Sequence, residues 1–287
     1  MVLVQLLRPK QWIKNLLVLA PLIFAGRLTD GPSVVLAVGA MVGFSLLASS
    51  MYILNDVHDL EFDRQHPFKK FRALASGKIT VEAAWSLAVG LLLAAIGITW
   101  WVGQELTLVA LAYAGLIFTY SRYLKSQVVL DVLVVAVGFV LRALAGAVAI
   151  GVVFSPWLLV TTLFLALFLV LGKRRQELVG SDTVAHRYRP VLADYSSKML
   201  DQLLVMVATA SLVGYSLYCL WPDTTARLGS SNLIYTLPVV IYGLFRYFYL
   251  VYRRDENGDP TEMLYTDRPL LASVVLWGVL VVVIIYQ

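Results

Sequence analysis

The stretch 45-SLLASSMYILNDVHDLEFD-63 runs from ten residues without a charge into a segment holding Asp56, Asp59 and Asp63. Its first half reads as the end of a membrane helix and its second as the polar exit, where an unpaired carboxylate is expensive. The rest of the chain supports that reading. Of its 287 residues 60% are hydrophobic and 14% charged, too apolar for a soluble domain and too long for a single anchor. A helical span takes about 20 mostly apolar residues. Nine such stretches can be placed, at roughly 15–30, 34–54, 82–101, 105–121, 128–150, 156–172, 201–220, 232–250 and 269–286. Long apolar runs without alternation argue against a β-barrel. The expected fold class is therefore an all-α integral membrane protein with nine transmembrane helices.

The net charge of +5 gives orientation once it is placed along the chain. Lys and Arg gather at 8–14, 64–78, 122–125, 173–198 and 253–268, whereas the alternate connections hold Arg27 and Arg227. The positive-inside rule puts the N-terminus and segments 55–81, 120–127, 173–200 and 251–268 in the cytoplasm, and Gln287 outside. Basic loops beside anionic lipid account for this charge, so it does not indicate nucleic acid as a partner. Cys219, the single cysteine, lies in an apolar run and implies no disulfide framework. The first apolar run follows Arg8, Lys10 and Lys14 in the manner of a signal peptide, but no small-residue cleavage site follows it, and it reads as a retained helix. Residues 1–287 are expected to form a single membrane domain, with function on the two long polar connections, 55–81 and 173–200.

Continued one or two turns beyond the membrane, the second helix would set Asp56, Asp59 and Asp63 within about 60° of one another, with Asn55 beside Asp59. Like charges on one face repel and call for a compensating cation or very wet surroundings. Oxygen ligands at this spacing suit Mg²⁺, which binds through one or two carboxylates and takes further ligands from substrate phosphates. Lys69, Lys70, Arg72 and Lys78 follow in the next segment, so a metal-bound polyphosphate can be held from both sides. The plainer alternative is a solvated helix end whose acids balance those cations.

NDVHDLEFD followed by HPFKKFR resembles NDxxDxxxD, the first aspartate-rich motif of the UbiA superfamily of intramembrane prenyltransferases. The resemblance implies a UbiA-type bundle with a cytoplasm-facing polar cavity, Mg²⁺ held by Asn55, Asp56, Asp59 and Asp63, and Asp56, Asp59 and Asp63 as the catalytic set. RPKQWIKN (8–15), YSRYLKSQVVLDV (120–132), FVLRALAG (139–146), LVLGKRRQEL (169–178), RPVLADYSSKMLD (189–201) and TEMLYTDRPLL (261–271) are together similar to the decaprenyl-phosphate phosphoribosyltransferase branch. That branch implies a donor, 5-phosphoribosyl-1-diphosphate, and an acceptor, polyprenyl phosphate, in a multi-pass enzyme of the bacterial plasma membrane that serves cell-envelope glycan synthesis. Gln11, Lys14, Asn55, Lys69, Arg72, Lys125, Arg142, Lys173, Arg174, Glu177, Asp194, Tyr195, Lys198 and Asp201 are then the residues expected to bind the phosphates of donor and lipid. Where the branch's pattern often has Arg-Pro, this chain has Arg72-Ala73.

The residues lend this branch some support of their own. An aromatic prenyltransferase of the superfamily usually carries a second aspartate-rich motif in the loop after the sixth helix, whereas this loop opens with Lys173, Arg174 and Arg175. On a helix Asp194, Lys198 and Asp201 would share one face, with Tyr195 adjacent. Simpler readings stand beside these: lysines and arginines that anchor a span's end, and an ordinary i,i+4 pair at Asp194 and Lys198. Arg142, deep in the fifth span, must face a partner or a polar cavity. It is three turns from Asp131, too far to pair with it directly. Trp12, Trp100, Trp101 and Trp157 read as interfacial belt residues, and His58, His66 and His186 have no assigned role. Prenyl transfer from a prenyl diphosphate is the runner-up function, and a membrane transporter the distant one. Homo-oligomerisation is left open.

Overall fold

Pro9 opens an N-terminal stretch in which the backbone takes a tighter path than an α-helix. The computed structural model describes residues 2–65, 69–179, 190–253 and 260–287. His66, His186 and parts of the two long polar connections lie outside the described residues. Among the described residues the chain is helical, without strands. It divides into two units, Met1–Leu124 with Leu141–Val153, and Lys125–Val140 with Phe154–Gln287.

The first unit begins with α1 (Val2–Leu7), a 3₁₀ helix (Pro9–Leu19) and α2 (Ala20–Phe24). A 3₁₀ run of 11 residues is unusually long, and its contacts explain it. At three residues per turn Trp12, Asn15 and Val18 fall in one row, where an α-helix would fan them apart. Trp12 Nε1 donates to Ser49 Oγ at 3.0 Å and Asn15 Nδ2 to Ser45 Oγ at 3.1 Å. Val18 is fully buried, and its carbonyl lies so close to Gly146 that a Cβ there would fall 1.8 Å from the oxygen. Gln11 and Lys14 share a second row of the same helix.

Ser45 and Ser49 belong to α3 (Gly31–His58), the longest helix, which leads into the acidic segment. Its buried face carries Ala37, Ala40, Gly43, Ala48 and Ser50, small residues that admit a close neighbour in a membrane. That neighbour is α5 (Val81–Val102), capped by Thr80, whose side chain accepts from Ala83 N at 3.2 Å. Ser50 Oγ donates to the Ala88 carbonyl of α5 at 2.8 Å. After a break at Gly103, α6 (Gln104–Arg122) packs against both helices. A short α4 (Leu60–Gln65) follows α3.

In α7 (Leu130–Ala149) residues up to Val140 belong to the second unit and those from Leu141 to the first. Within the second unit α8 (Pro156–Val179) runs along α9 (Ser197–Leu220), which is capped by Ser196. The chain continues through α10 (Pro222–Leu228), α11 (Leu237–Arg253), α12 (Pro260–Thr266) and α13 (Arg268–Tyr286). Phe168, Leu171, Leu200, Leu204, Tyr247, Leu250 and Met263 make its core. Tyr215 hydroxyl meets Thr236 at 2.6 Å and accepts from Trp277 Nε1 at 3.0 Å, so polar groups within the span region satisfy one another. Asp267 caps α13 and takes two hydrogen bonds from Arg246.

Seven described helices are long and apolar enough to span a membrane: α3, α5, α7, α8, α9, the Asn232–Arg253 stretch containing α11, and α13. Of the other two predicted spans, 105–121 is present as α6, whose ends carry Gln104, Glu105, Ser121 and Arg122. The 15–30 stretch is not a single helix, because the 3₁₀ segment and α2 divide it.

Candidate active site

The acidic segment does not continue α3 as one regular helix, as its spacing suggested. The helix ends at His58, Asp59 is its C-terminal cap with φ −91° and ψ 11°, and α4 begins at Leu60. Helical hydrogen bonding still crosses the turn, from Asp59 N to Asn55 O and from Asp63 N to Asp59 O, so the three acids stay close in sequence and in register. Asp56 and Asp63 are buried, and the cations of the following loop reach them. Arg72 Nη1 donates to Asp56 Oδ1 at 3.0 Å and to Asp63 Oδ2 at 2.6 Å. One guanidinium nitrogen thus draws two of the three predicted carboxylates together. Lys69 Nζ lies 3.9 Å from Asp63 Oδ1, a buried oxygen without a hydrogen-bond partner among the described residues.

Asp59 is held differently. Asn55 Nδ2 donates to Asp59 Oδ2 at 3.1 Å, while Asn55 Oδ1 accepts from Ser121 Oγ at the end of α6. Arg122, next in sequence, lies 3.1 Å from His58 Nδ1. Two further residues therefore bear on the motif from α6, and nothing in the spacing of the sequence signalled them. Arg8 is the third such residue. Its Nη2 reaches both oxygens of Asp56, at 2.5 and 2.6 Å, from 48 positions away.

Arg142 finds its partners within the first unit. Its Nε donates to Asn15 Oδ1 at 2.8 Å and its Nη2 to the Tyr113 hydroxyl at 2.6 Å, with the guanidinium 4.8 Å from the Tyr113 ring centre. Asn15 thus spends its amide on Ser45 and its carbonyl on Arg142. That satisfies a buried cation at low dielectric and gives Arg142 a structural task in holding the N-terminal segment.

The second unit gathers another set. Asp131, fully buried, accepts from Arg174 Nε at 2.7 Å and from the Tyr195 hydroxyl at 2.7 Å. The Tyr195 oxygen itself accepts from Val129 N at 2.8 Å. Val129 has φ +68°, a conformation that β-branched residues rarely adopt. Burial first, and then the hydrogen bond to Asp131, push the Tyr195 phenol well above its ordinary range. Arg174 also donates to Glu177 Oε2 at 2.9 Å. Asp131, which the sequence reading did not place in the site, is therefore the centre of a set that includes Arg174, Glu177 and Tyr195.

The remaining predicted residues are arranged otherwise. Asp194, Lys198 and Asp201 do not share one helical face, because Asp194 ends a 3₁₀ turn (Pro190–Asp194) and α9 starts only after the Ser196 cap. Asp194 and Lys198 are exposed. Asp201 Oδ1 accepts from Arg175 Nε at 2.6 Å and from the Tyr252 hydroxyl at 2.7 Å. Arg175 also lies over the Tyr252 ring at 3.7 Å, an arrangement that ties α8, α9 and α11. Lys125 sits in a short 3₁₀ turn after α6, and Lys173 is half-buried near the end of α8.

A conserved-domain model, the UbiA prenyltransferase family, matches residues 16–272. The chain belongs to the UbiA prenyltransferase family. Over 286 residues it is 36% identical to the decaprenyl-phosphate phosphoribosyltransferase of Mycolicibacterium smegmatis, covering 96% of this chain and 89% of that one. The protein of the same name from Mycobacterium tuberculosis is 34% identical over 278 residues, covering 96% and 91%. A UbiA homologue of Archaeoglobus fulgidus bound to GPP and Mg²⁺ matches with a TM-score of 0.74 at 19% identity, over 100% of this chain and 98% of that one. A second structure of a homologue from the same organism, bound to Cd²⁺, gives 0.72 at 17% identity over the full length of both chains. At these identities the likeness shows the shared UbiA fold.

The residues present fit a divalent cation. Asp56 and Asp63 already converge on one positive group, and Asp63 Oδ1 is a buried acceptor lacking a hydrogen-bond donor among the described residues. No three Asp, Glu, His or Cys side chains converge on a metal position among the described residues. The donor set is thus two carboxylates, and the rest of a Mg²⁺ shell would come from water and phosphate.

Proposed function

We propose that this chain transfers the 5-phosphoribosyl group of 5-phosphoribosyl-1-diphosphate to a polyprenyl phosphate, giving polyprenyl-phosphoryl ribose 5-phosphate and diphosphate. The observation that carries this reading is the 36% identity along nearly the whole chain to a decaprenyl-phosphate phosphoribosyltransferase. The geometry of the first unit supports it, because Asp56, Asp63, Arg72 and Lys69 form a seat of mixed charge suited to a metal-bound diphosphate.

Asp56 and Asp63 would hold Mg²⁺, with Asp59 and Asn55 assisting from the adjoining turn. An ion held there would supply charge neutralisation to the leaving diphosphate. Arg72 and Lys69 donate to diphosphate oxygens. An oxygen of the lipid phosphate forms the bond to the ribosyl C1 as the C1–O bond to diphosphate breaks, and diphosphate leaves with the electron pair. Attack from the face opposite the leaving group inverts that carbon. The second pKa of a phosphate monoester is about 6, so the acceptor is largely ionised at neutral pH and needs no general base. Catalysis is then positioning and charge compensation.

Lys125, Lys173, Asp194 and Lys198 of the second unit, and separately Gln11 and Lys14 of the first, are assigned to phosphates of donor or lipid. Asp131, Tyr195, Arg174 and Glu177 hold one another, so their contribution is to tie the start of α7 to the end of α8 and to the segment before α9. Asp201 and Arg175 likewise tie α9 to α8. We place the whole chain as one membrane domain that crosses the bilayer nine times, with α6 and the Pro9–Phe24 segment as the two further spans. The N-terminus and the motif loops are then cytoplasmic, where a soluble diphosphate donor is found.

Purified protein given ring-labelled 5-phosphoribosyl-1-diphosphate and polyprenyl phosphate should move label into the organic-extractable lipid, and a chelator should stop it. Absence of transfer with Mg²⁺ present, together with prenyl transfer from a prenyl diphosphate, would replace this reading with that of an ordinary prenyltransferase.

A further inference from the structure

Arg8 stands between the short α1 and the 3₁₀ segment, with φ 50° and ψ 57°. A residue before proline is normally extended, and a non-glycine residue at positive φ is uncommon. Something holds it there, and the contact is specific: Nη2 reaches Oδ1 of Asp56 at 2.5 Å and Oδ2 at 2.6 Å. With Arg72 on Oδ1 at 3.0 Å, Asp56 already accepts three charge-assisted hydrogen bonds. Arg8, Asp56, Phe71 and Arg72 line one cleft of about 330 Å³. Arg8 is partly exposed, with 26% of its side chain open to solvent, whereas Asp56 beneath it has 5%.

Arg8 Nη2 reaches both oxygens of Asp56, so a Mg²⁺ ion held by Asp56 would take an oxygen that Arg8 also uses. Arg8 and Arg72 already share this carboxylate, and a divalent ion added to it repels both guanidinium groups, the partly exposed Arg8 having solvent to move into. A diphosphate entering the same cleft offers Arg8 an alternative anionic partner with favourable geometry. Building on the proposed donor site, we infer that Arg8 is an internal counter-ion which occupies Asp56 while the metal is away and passes to a donor phosphate when metal and diphosphate load together. Metal and diphosphate binding are thereby coupled through one side chain. Free metal binds weakly because it must displace Arg8, and diphosphate strengthens metal binding by drawing Arg8 off. The left-handed backbone of Arg8, with the short α1 before it, is the hinge for that movement.

The test uses Mn²⁺ as a spectroscopic probe, with paramagnetic resonance titrations of the full-length detergent-solubilised protein, with and without inorganic diphosphate. Arg8→Gly removes the guanidinium while suiting the positive φ. It should bind Mn²⁺ alone about tenfold more tightly than the unaltered chain and gain about tenfold less from added diphosphate. Arg8→Gln, which preserves side-chain bulk, should behave in the same direction, and Lys10→Ala, an exposed neighbour, should change neither titration. A thermal melt shows whether each variant remains folded. Unchanged or weaker Mn²⁺ affinity in folded Arg8→Gly and Arg8→Gln would overturn the inference, as would an undiminished gain from diphosphate. Failure of the phosphoribosyl reading is registered separately, by absence of lipid labelling in the unaltered protein that still binds Mn²⁺ and diphosphate.

Discussion

Asp56 is the residue on which the charges of the first unit converge, since both Arg8 and Arg72 bond to it while it is buried. Asp56→Asn keeps its shape and removes its charge. Transfer should fall by at least about a hundredfold to a thousandfold, the usual loss when one charge-stabilising contact of a transition state is removed, measured as initial rate at saturating donor. That Asp56 and Asp63 come together was legible in the sequence because the NDxxDxxxD spacing is local. The approach of Arg8 was not, because a contact across 48 positions leaves no periodic trace. At Tyr195 the same distinction applies. The branch resemblance placed it among the substrate ligands, and the fold adds that it is buried and bonded to Asp131 and to Val129 N. Tyr195→Phe should lower stability by about 1–3 kcal/mol, the cost of leaving a buried acceptor short of a donor, and Arg174→Ala by about 3–5 kcal/mol, because it leaves Asp131 unpaired in the interior. Both are read from thermal unfolding in detergent. The raised phenol pKa fixes the pH dependence of the first value. The Tyr195 contribution is complete below an unfolded-state pKa of about 10 and is lost as pH rises above it, so the two melting curves should converge only in strong alkali.

At the scale of elements, the 3₁₀ segment Pro9–Leu19 sets the N-terminal half. Hydropathy marked this region as an interrupted span but could not indicate a period of three, because that period is imposed by partners: Ser49 for Trp12, Ser45 for Asn15, and Gly146 for the Val18 carbonyl. Gly146→Ala should destabilise the protein by at least about 1–3 kcal/mol, as overpacking against backbone does, and lower its yield from membranes. Gly97→Ala in α5, with no atom within 4 Å of the added methyl, should be tolerated in the same expression and melting assay. The breaks at Asp59 and at Ser196 were hidden for a related reason. Helical phase extrapolates smoothly through polar sequence, whereas the caps that end or start a helix depend on where its neighbours stop. The long apolar helices α3, α5, α7, α8, α9, α11 and α13 were legible because length and hydropathy suffice for them.

For the whole molecule, sequence and fold agree on a helical membrane protein of the UbiA family, and the positive-inside rule makes its direction a prediction. If nine spans cross the bilayer, a reporter fused after Gln287 should be active only outside the cytoplasm, and one inserted between Gly77 and Lys78 only inside it. Reporters on the same side would remove one span from the account. The chemistry is the larger claim, and it turns on which group leaves with the diphosphate. Mass spectrometry of the lipid formed by purified protein from polyprenyl phosphate and 5-phosphoribosyl-1-diphosphate with Mg²⁺ tests it most directly. The account predicts a product heavier than the acceptor by one ribosyl 5-phosphate unit, with the 5-phosphate retained. An unchanged acceptor, or a product that forms only when a prenyl diphosphate is supplied, would contradict it.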